Sequence, residues 1–382
     1  MSLRIGFVSL QDPSSVNTWS GIPSQILSQM RAHNVEVELL TLNTKARYLV
    51  APAKLMAKTQ RRSVTLDHFR IVLQDYARQI KRFAKDRAID VVFSTSTIPV
   101  TLLDCGKPIV TWTDAVFHAM HDYYNKAFAN MTEAAIARGK WQEETALHNC
   151  SIAAFASTWA LERARPIVGD AKLKVLPFGS NLPARHTRED VTRWAVEKRA
   201  KHGKQCELLF VGANWERKGG SIAVETARLM IESGIKTKLR VVGSQPEGNV
   251  PDYVELFGFI NKSSEAGIQR LVELFQSADF FILPTKAEAA GVVFSEASSY
   301  GLPTLTYATG GVPDYVHNGV NGVCLEPGAS PARFAREIQT ILSSPSVYES
   351  LAVGGFREYQ ERLNWRTSVG RLLNLCAECA RA

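Results

Sequence analysis

The chain has 382 residues, of which 45% are hydrophobic and 21% charged, enough to bury an ample core and longer than most single cores, so two domains are expected. No run approaches the roughly 18 apolar residues of a membrane span, and six scattered cysteines (105, 150, 206, 324, 376 and 379) lack the spacing of a secreted disulfide framework. They read as free thiols of a reducing, cytoplasmic compartment, and Cys376-x-x-Cys379 has no second pair to complete a zinc site. The net charge is +8, and residues 1–180 carry most of it, with 22 Lys and Arg against 15 Asp and Glu.

The opening MSLRIGFVSLQDPSS has only a short apolar run, so it reads as a first strand and not as a signal peptide. The β-rich runs VEVELLTL, VVFST, PIVTWT and IAAFAS follow, separated by amphipathic stretches such as IPSQILSQMRAH and HFRIVLQDYARQIKRFAK. Between the second and third runs lies KARYLVAPAKLMAKTQRRS. Here Lys45, Arg47, Lys54, Lys58, Arg61 and Arg62 meet no acidic residue and are interleaved with Tyr48, Leu49, Val50, Leu55 and Met56. Two readings stand side by side: peripheral contact of 45–62 with an anionic membrane or polyanion, or a solvated basic helix beside a cleft. No nucleic-acid reading motif accompanies the charge, so nucleic acid is not expected as a partner.

After KVLPFGSNLP a second series begins: CELLFVG, KLRVVGS, YVELFGFI, DFFILPT, PTLTYAT and GVCLEP, with helical patterns between. Alternation of this kind predicts two α/β domains, each a parallel sheet with helices on both faces. The boundary is placed near Pro177 to Pro183, giving domains 1–180 and 181–365, with a C-terminal helix at about 366–382 packing back on the first. Open parallel sheets bind ligands beyond the carboxyl ends of their strands. Two such domains facing each other would enclose a cleft.

Three loops carry the polar residues such a cleft needs. In FVGANWERKGG, Arg217 and Lys218 precede a Gly-Gly pair and a helix, where charge and helix amides suit a diphosphate; the spacing is not that of a P-loop. In LPTKAEAAGVVFSEASSYGLPTLTY, a buried strand, a loop and a helix are expected. Glu288 then lies in the loop and Glu296 about two helical turns in, a separation suited to the hydroxyls of a sugar nucleotide. Ala289, Ala290 and Gly291 leave room for a diphosphate near the helix amides. The third loop, ATGGVPDYVHNGVNG, supplies Gly310 and Gly311 at a strand end, with His317 read as a turn residue.

The run from Pro284 to Pro327, with FVGANWERKGG, FASTWA and KVLPFGSN, resembles the retaining glycosyltransferases of family 4 (glycosyl transferases group 1), which have the GT-B fold. The resemblance implies two Rossmann-like domains facing across a cleft and transfer of a sugar from a nucleoside diphosphate with retention of configuration. It implies that Glu288 contacts the donor sugar, that Glu296 binds the ribose, and that Gly212, Arg217 and Lys218 hold the diphosphate with the amides of Ala290, Gly291 and Val292. Gly21 matches the glycine loop of the first domain, although Ser20 stands where the family has another glycine. Members place a histidine just after the strand PIVTWT; this chain has Asp114 there and His118 four residues on, with His121 and Asp122 as further candidates. No D-x-D occurs, so no metal clamp and no cofactor are expected. The acceptor, a lipid-linked glycan, a protein or a small molecule, is not indicated. The competing reading is a non-catalytic nucleotide-sugar-binding partner subunit, for which Asp114 is the motivation.

Overall fold

Ile5, Phe7 and Val8 are fully buried although successive strand residues point to opposite faces, as expected for a parallel sheet covered on both sides. The computed structural model describes residues 3–124, 128–200, 205–246 and 248–381, and the chain divides into two units, Met1–Leu176 with Ser368–Ala382, and Pro177–Thr367.

In the first unit the strands are β1 (Arg4–Ser9), β2 (Glu36–Thr41), β3 (Val91–Ser94), β4 (Ile109–Thr113), β5 (Ile152–Phe155) and β6 (Leu173–Val175). They form one parallel sheet in the order β2-β1-β3-β4-β5-β6. The helices are α1 (Ile22–Ala32), α2 (Ala46–Thr59), α3 (Arg70–Asp86), α4 (Phe117–Tyr123), α5 (Glu133–Asn149) and α6 (Thr158–Val168). Helix α3 turns Val72, Leu73, Tyr76, Ile80 and Ala84 inward at helical spacing, and most of that stripe meets Val8, Val92 and Ile109 of the sheet in one core cluster. Strand β6 is a departure from the sequence reading, which took KVLP only as the approach to the boundary. Three residues are too short for an alternation signal, and pairing with β5 supplies the order.

The second unit holds β7 (Gln205–Val211), β8 (Lys236–Val242), β9 (Val254–Leu256), β10 (Phe280–Leu283), β11 (Thr304–Tyr307) and β12 (Gly322–Leu325). These are parallel in the order β12-β11-β10-β7-β8-β9. Its helices are α7 (Arg188–Arg199), α8 (Trp215–Lys218), α9 (Gly220–Glu232), α10 (Glu265–Ser277), α11 (Val292–Ser299), α12 (Pro331–Ser343) and α13 (Pro345–Glu361). The last helix, α14 (Trp365–Arg381), begins at the end of this unit, and from Ser368 onward its residues belong to the first. The expected strand YVELFGFI shrinks to Val254–Leu256, because Gly258 turns the chain with φ +62° and Phe259 is exposed.

Among the described residues no helix is long and apolar enough to cross a membrane. Helix α2 occupies most of the basic segment. Tyr48, Leu49, Leu55 and Met56, at positions i, i+1, i+7 and i+8, fall on one helical face and are all exposed, while Ala57 is buried. Arg47 pairs with Asp67 at 2.7 Å, and the Arg62 guanidinium donates to the Ala129 carbonyl.

Candidate functional site

In the second unit the loops after β7, β10 and β11 meet at the carboxyl ends of neighbouring strands. Gly212 follows β7, and its amide donates to the Val242 carbonyl. A Cβ there would come within 2.9 Å of the Lys218 side chain, so glycine makes room for the lysine stem. Asn214 then caps a single helical turn by accepting from the Arg217 amide at 2.8 Å. Arg217 and Lys218 are thus not free loop residues before a helix, as the sequence reading had them, but the last residues of α8. Gly219 follows in the left-handed region (φ +78°), with its α-carbon face against the Pro284 carbonyl.

That turn is stitched to the loop after β10. The Lys286 amide donates to the Arg217 carbonyl at 2.8 Å, and the Arg217 guanidinium donates to the Ala287 carbonyl at 2.6 Å. Glu288 completes the cluster: Lys218 Nζ donates to its Oε2, and Arg217 Nη1 lies 3.6 Å from the same oxygen. Lys218 is buried, 9% exposed, and this carboxylate is its counter-ion. The glycine-rich loop braces the arrangement from the next strand, the Gly311 amide donating to the Glu288 carbonyl at 2.9 Å. The structure therefore brings together Gly212, Arg217, Lys218 and Glu288.

Ala290, Gly291 and Val292 lead into α11. Gly291 is extended (φ −158°), so backbone freedom is not its reason; the Phe294 ring occupies the place of its missing Cβ, 2.3 Å from where that atom would be. The glycine thus makes room for the Phe294 ring, a packing role that the sequence reading did not include. Glu296 lies one turn into α11 and not two, because the helix starts at Val292. It is 1% exposed; Oε1 accepts from Lys262 Nζ at 2.7 Å, and Oε2 is buried without a hydrogen-bond partner. Lys262, in the loop between β9 and α10, was not singled out in the sequence. The available signal was its place after a strand's carboxyl end, two residues before the Ser264 helix cap.

Gly21, Asp114 and His118 belong to the first unit. Gly21 ends a run of three left-handed residues, Trp19 (φ +43°), Ser20 (φ +57°) and Gly21 (φ +80°), and forms the N-cap of α1. Asp114 directly follows β4. His118 lies in α4 with Nε2 3.0 Å from Glu144 Oε1, and its Nδ1 is buried without a partner. The side chain of Asp122 lies outside the described residues. Among the described residues no group of three or more His, Cys, Asp and Glu is placed to hold a metal ion, and the six cysteines are free.

The fold is that of the GT-B glycosyltransferases. Sucrose-phosphate synthase from Thermosynechococcus elongatus superposes with a TM-score of 0.68 at 16% identity, covering 98% of both chains. Anabaena Alr3699/HepE, solved with UDP and glucose, superposes at 0.61 with 15% identity over 98% of this chain and 99% of that one. Residues 193–355 match the family model described as glycosyl transferases group 1, so the second unit carries that domain. A D-inositol 3-phosphate glycosyltransferase of Thermomonospora curvata is 30% identical over 184 residues, which are 44% of this chain and 42% of that protein. The chain thus spans less than half the length of this curated relative.

Proposed function

We propose that this protein is a retaining, metal-independent glycosyltransferase that moves a sugar from a nucleoside-diphosphate sugar to an acceptor, in glycan or glycoconjugate synthesis. The observation that carries the reading is the Arg217, Lys218 and Glu288 cluster at adjoining strand ends of a glycosyl-transferases-group-1 domain. Two cations held beside helix-entry amides suit the negative charge that gathers on the leaving diphosphate as the bond to the anomeric carbon breaks. Glu288 then orients the cations and meets the donor sugar; Glu296, with Oε2 unpaired and Oε1 held by Lys262, is arranged to accept from a ribose hydroxyl. Asp114 and His118 serve the same reaction from the first unit. Hydrolysis by water in place of an acceptor gives a test that needs no knowledge of the acceptor. Incubation with UDP-, GDP- and ADP-sugars is expected to release nucleoside diphosphate from one class, and the UDP-glucose complex of the Anabaena protein makes uridine the first choice. Tight nucleotide binding with no release or transfer would favour the partner-subunit reading. We further propose that α2 seats the protein on an anionic leaflet, its four exposed apolar residues entering the interface beneath a rim of Lys45, Lys54, Lys58 and Arg61.

A further inference from the structure

In the first unit the chain leaving α2 and the chain entering α5 are sewn together, and a cavity of about 610 Å³ lies between them and α4. The Ser63 amide donates to the Asn130 carbonyl at 2.7 Å, the Thr132 amide to the Ser63 carbonyl at 3.4 Å, and Arg62 Nη1 to the Ala129 carbonyl at 3.3 Å. These bonds flank a parallel bridge of Ser63 with Met131 and fix the two walls relative to each other. The volume falls within the range of about 300–1,000 Å³ usual for small-molecule sites.

The topology puts this cavity on the ligand-binding side of the sheet. Helix α5 ends at Asn149, just before β5, so its last turn lies at the amino ends of the strands. Its 17 residues span about 25 Å, longer than β5, and its first turn, with Thr132 and Glu133, therefore reaches past the carboxyl ends. Helix α4 leaves the carboxyl end of β4 and brings His121, one turn on from His118, to the cavity. Open parallel sheets bind their ligands on this side.

The lining has two characters. Phe128, Met131 and Ile136 supply an apolar wall, and the Phe128 ring is fixed by edge contacts with Phe117 at 5.6 Å and His121 at 5.9 Å. The remainder is polar, with the Arg62 guanidinium, the Gln60 amide and the Glu133 carboxylate. The side chains of Gln60 and Glu133 bond to no described residue, and both residues are exposed. The formal charges of Arg62 and Glu133 cancel, so an anion would meet the carboxylate and a cation the guanidinium. Groups that donate (Arg62), accept (Glu133) or do both (Gln60) suit a neutral ligand rich in hydroxyls, which also do both. A sugar ring adds an apolar C–H face for the Phe128 wall.

We propose that this cavity binds an uncharged saccharide and, resting on the transferase reading, that it seats the glycosyl acceptor. Saturation-transfer NMR with the methyl glycosides of glucose, galactose, mannose and N-acetylglucosamine is the first readout and needs no catalysis. At least one glycoside is expected to bind. Ala129→Trp, which fills the cavity, and Glu133→Ala, which removes its carboxylate, should each raise that dissociation constant about tenfold or more. Both positions are exposed; should Ala129→Trp not fold, Gln60→Ala takes its place with the same expectation. Neutral vesicles with and without the same sugar on a lipid anchor separate the sources of the ligand: greater co-sedimentation with the sugar assigns a lipid-borne saccharide, equal co-sedimentation a free one. Absence of binding by every glycoside, binding that the variants leave unchanged, or tighter binding of glucose 6-phosphate than of any neutral glycoside would overturn the proposal. Release of nucleoside diphosphate from the donor, measured on the wild type in parallel, tests the transferase reading separately. Cavity-dependent sugar binding in a protein that releases none would keep the saccharide site and remove its role as the acceptor seat.

Discussion

At Lys218 stability and the proposed chemistry fall on one side chain. Its ammonium is buried against Glu288, so Lys218→Ala is expected to lower transfer at least about tenfold and also to lower stability, by stranding a carboxylate. Arg217, a third exposed in its side chain, should cost similar activity on replacement by Ala with little loss of stability, and urea unfolding beside initial rates separates the two. Ser20 makes an opposite case. A serine at φ +57° occupies a conformation that L residues adopt at a cost of about 1–2 kcal/mol, so Ser20→Gly should raise the urea midpoint. The strain at this serine is a feature of the backbone that the letters alone did not reveal. Two buried groups set opposing pH slopes. Burial pushes His68 down from 6.5 to about 4, so the unfolded chain takes up a proton first and stability is lost as pH falls through that window. Glu143 is raised from 4.5 to about 7, so the folded chain holds its proton longer and stability is lost as pH rises through that window. Relative to wild type, His68→Gln should gain stability at the acid end and Glu143→Gln at the alkaline end, read as urea midpoints from pH 4 to 8. Neither group was legible in the sequence. His68 opens an amphipathic stretch, where a histidine beside Asp67 and Arg70 reads as part of the polar face, and a glutamate beside another glutamate in a helix reads as a solvated face.

At the scale of elements, long apolar runs bounded by turn residues were readable as strands because parallel sheets bury both faces, and the strand-loop-helix around Glu288 followed from the same pattern. What escaped was decided by partners distant in sequence. Strand β6 exists through its pairing with β5, Gly291 is dictated by the Phe294 ring, and Lys262 gains its meaning only from Glu296. Helix α2 was legible in charge but not in geometry: the sequence showed a basic segment, and the helix turns Tyr48, Leu49, Leu55 and Met56 outward together. Charge and apolar insertion make separable predictions. Replacing Lys54, Lys58 and Arg61 by Gln should abolish selectivity for anionic over neutral vesicles, at about 1 kcal/mol per charge. Replacing Leu49, Leu55 and Met56 by Ser should remove the binding that persists at 1 M salt, where the Debye length is about 3 Å. Co-sedimentation that is indifferent to both sets of changes would leave α2 a solvated helix.

For the whole molecule, a matching nucleoside diphosphate at about 100 times its dissociation constant should stabilise the protein by roughly 2.7 kcal/mol. Protection from proteolysis is expected to centre on residues 177–367, and transfer should persist in EDTA; loss of activity restored by added divalent metal would refute the metal-free reading. The order in which the chain visits its units carries a separate implication. The second unit is an insertion in the first, which resumes at Ser368 with the buried Val369, Leu372 and Cys376 of α14. During synthesis, residues 177–367 can fold as soon as they emerge, while the first unit, whose sheet precedes them, waits for a segment made after them. A nascent chain halted before residue 368 should therefore hold a finished second unit and a first sheet still open to chaperones and proteases.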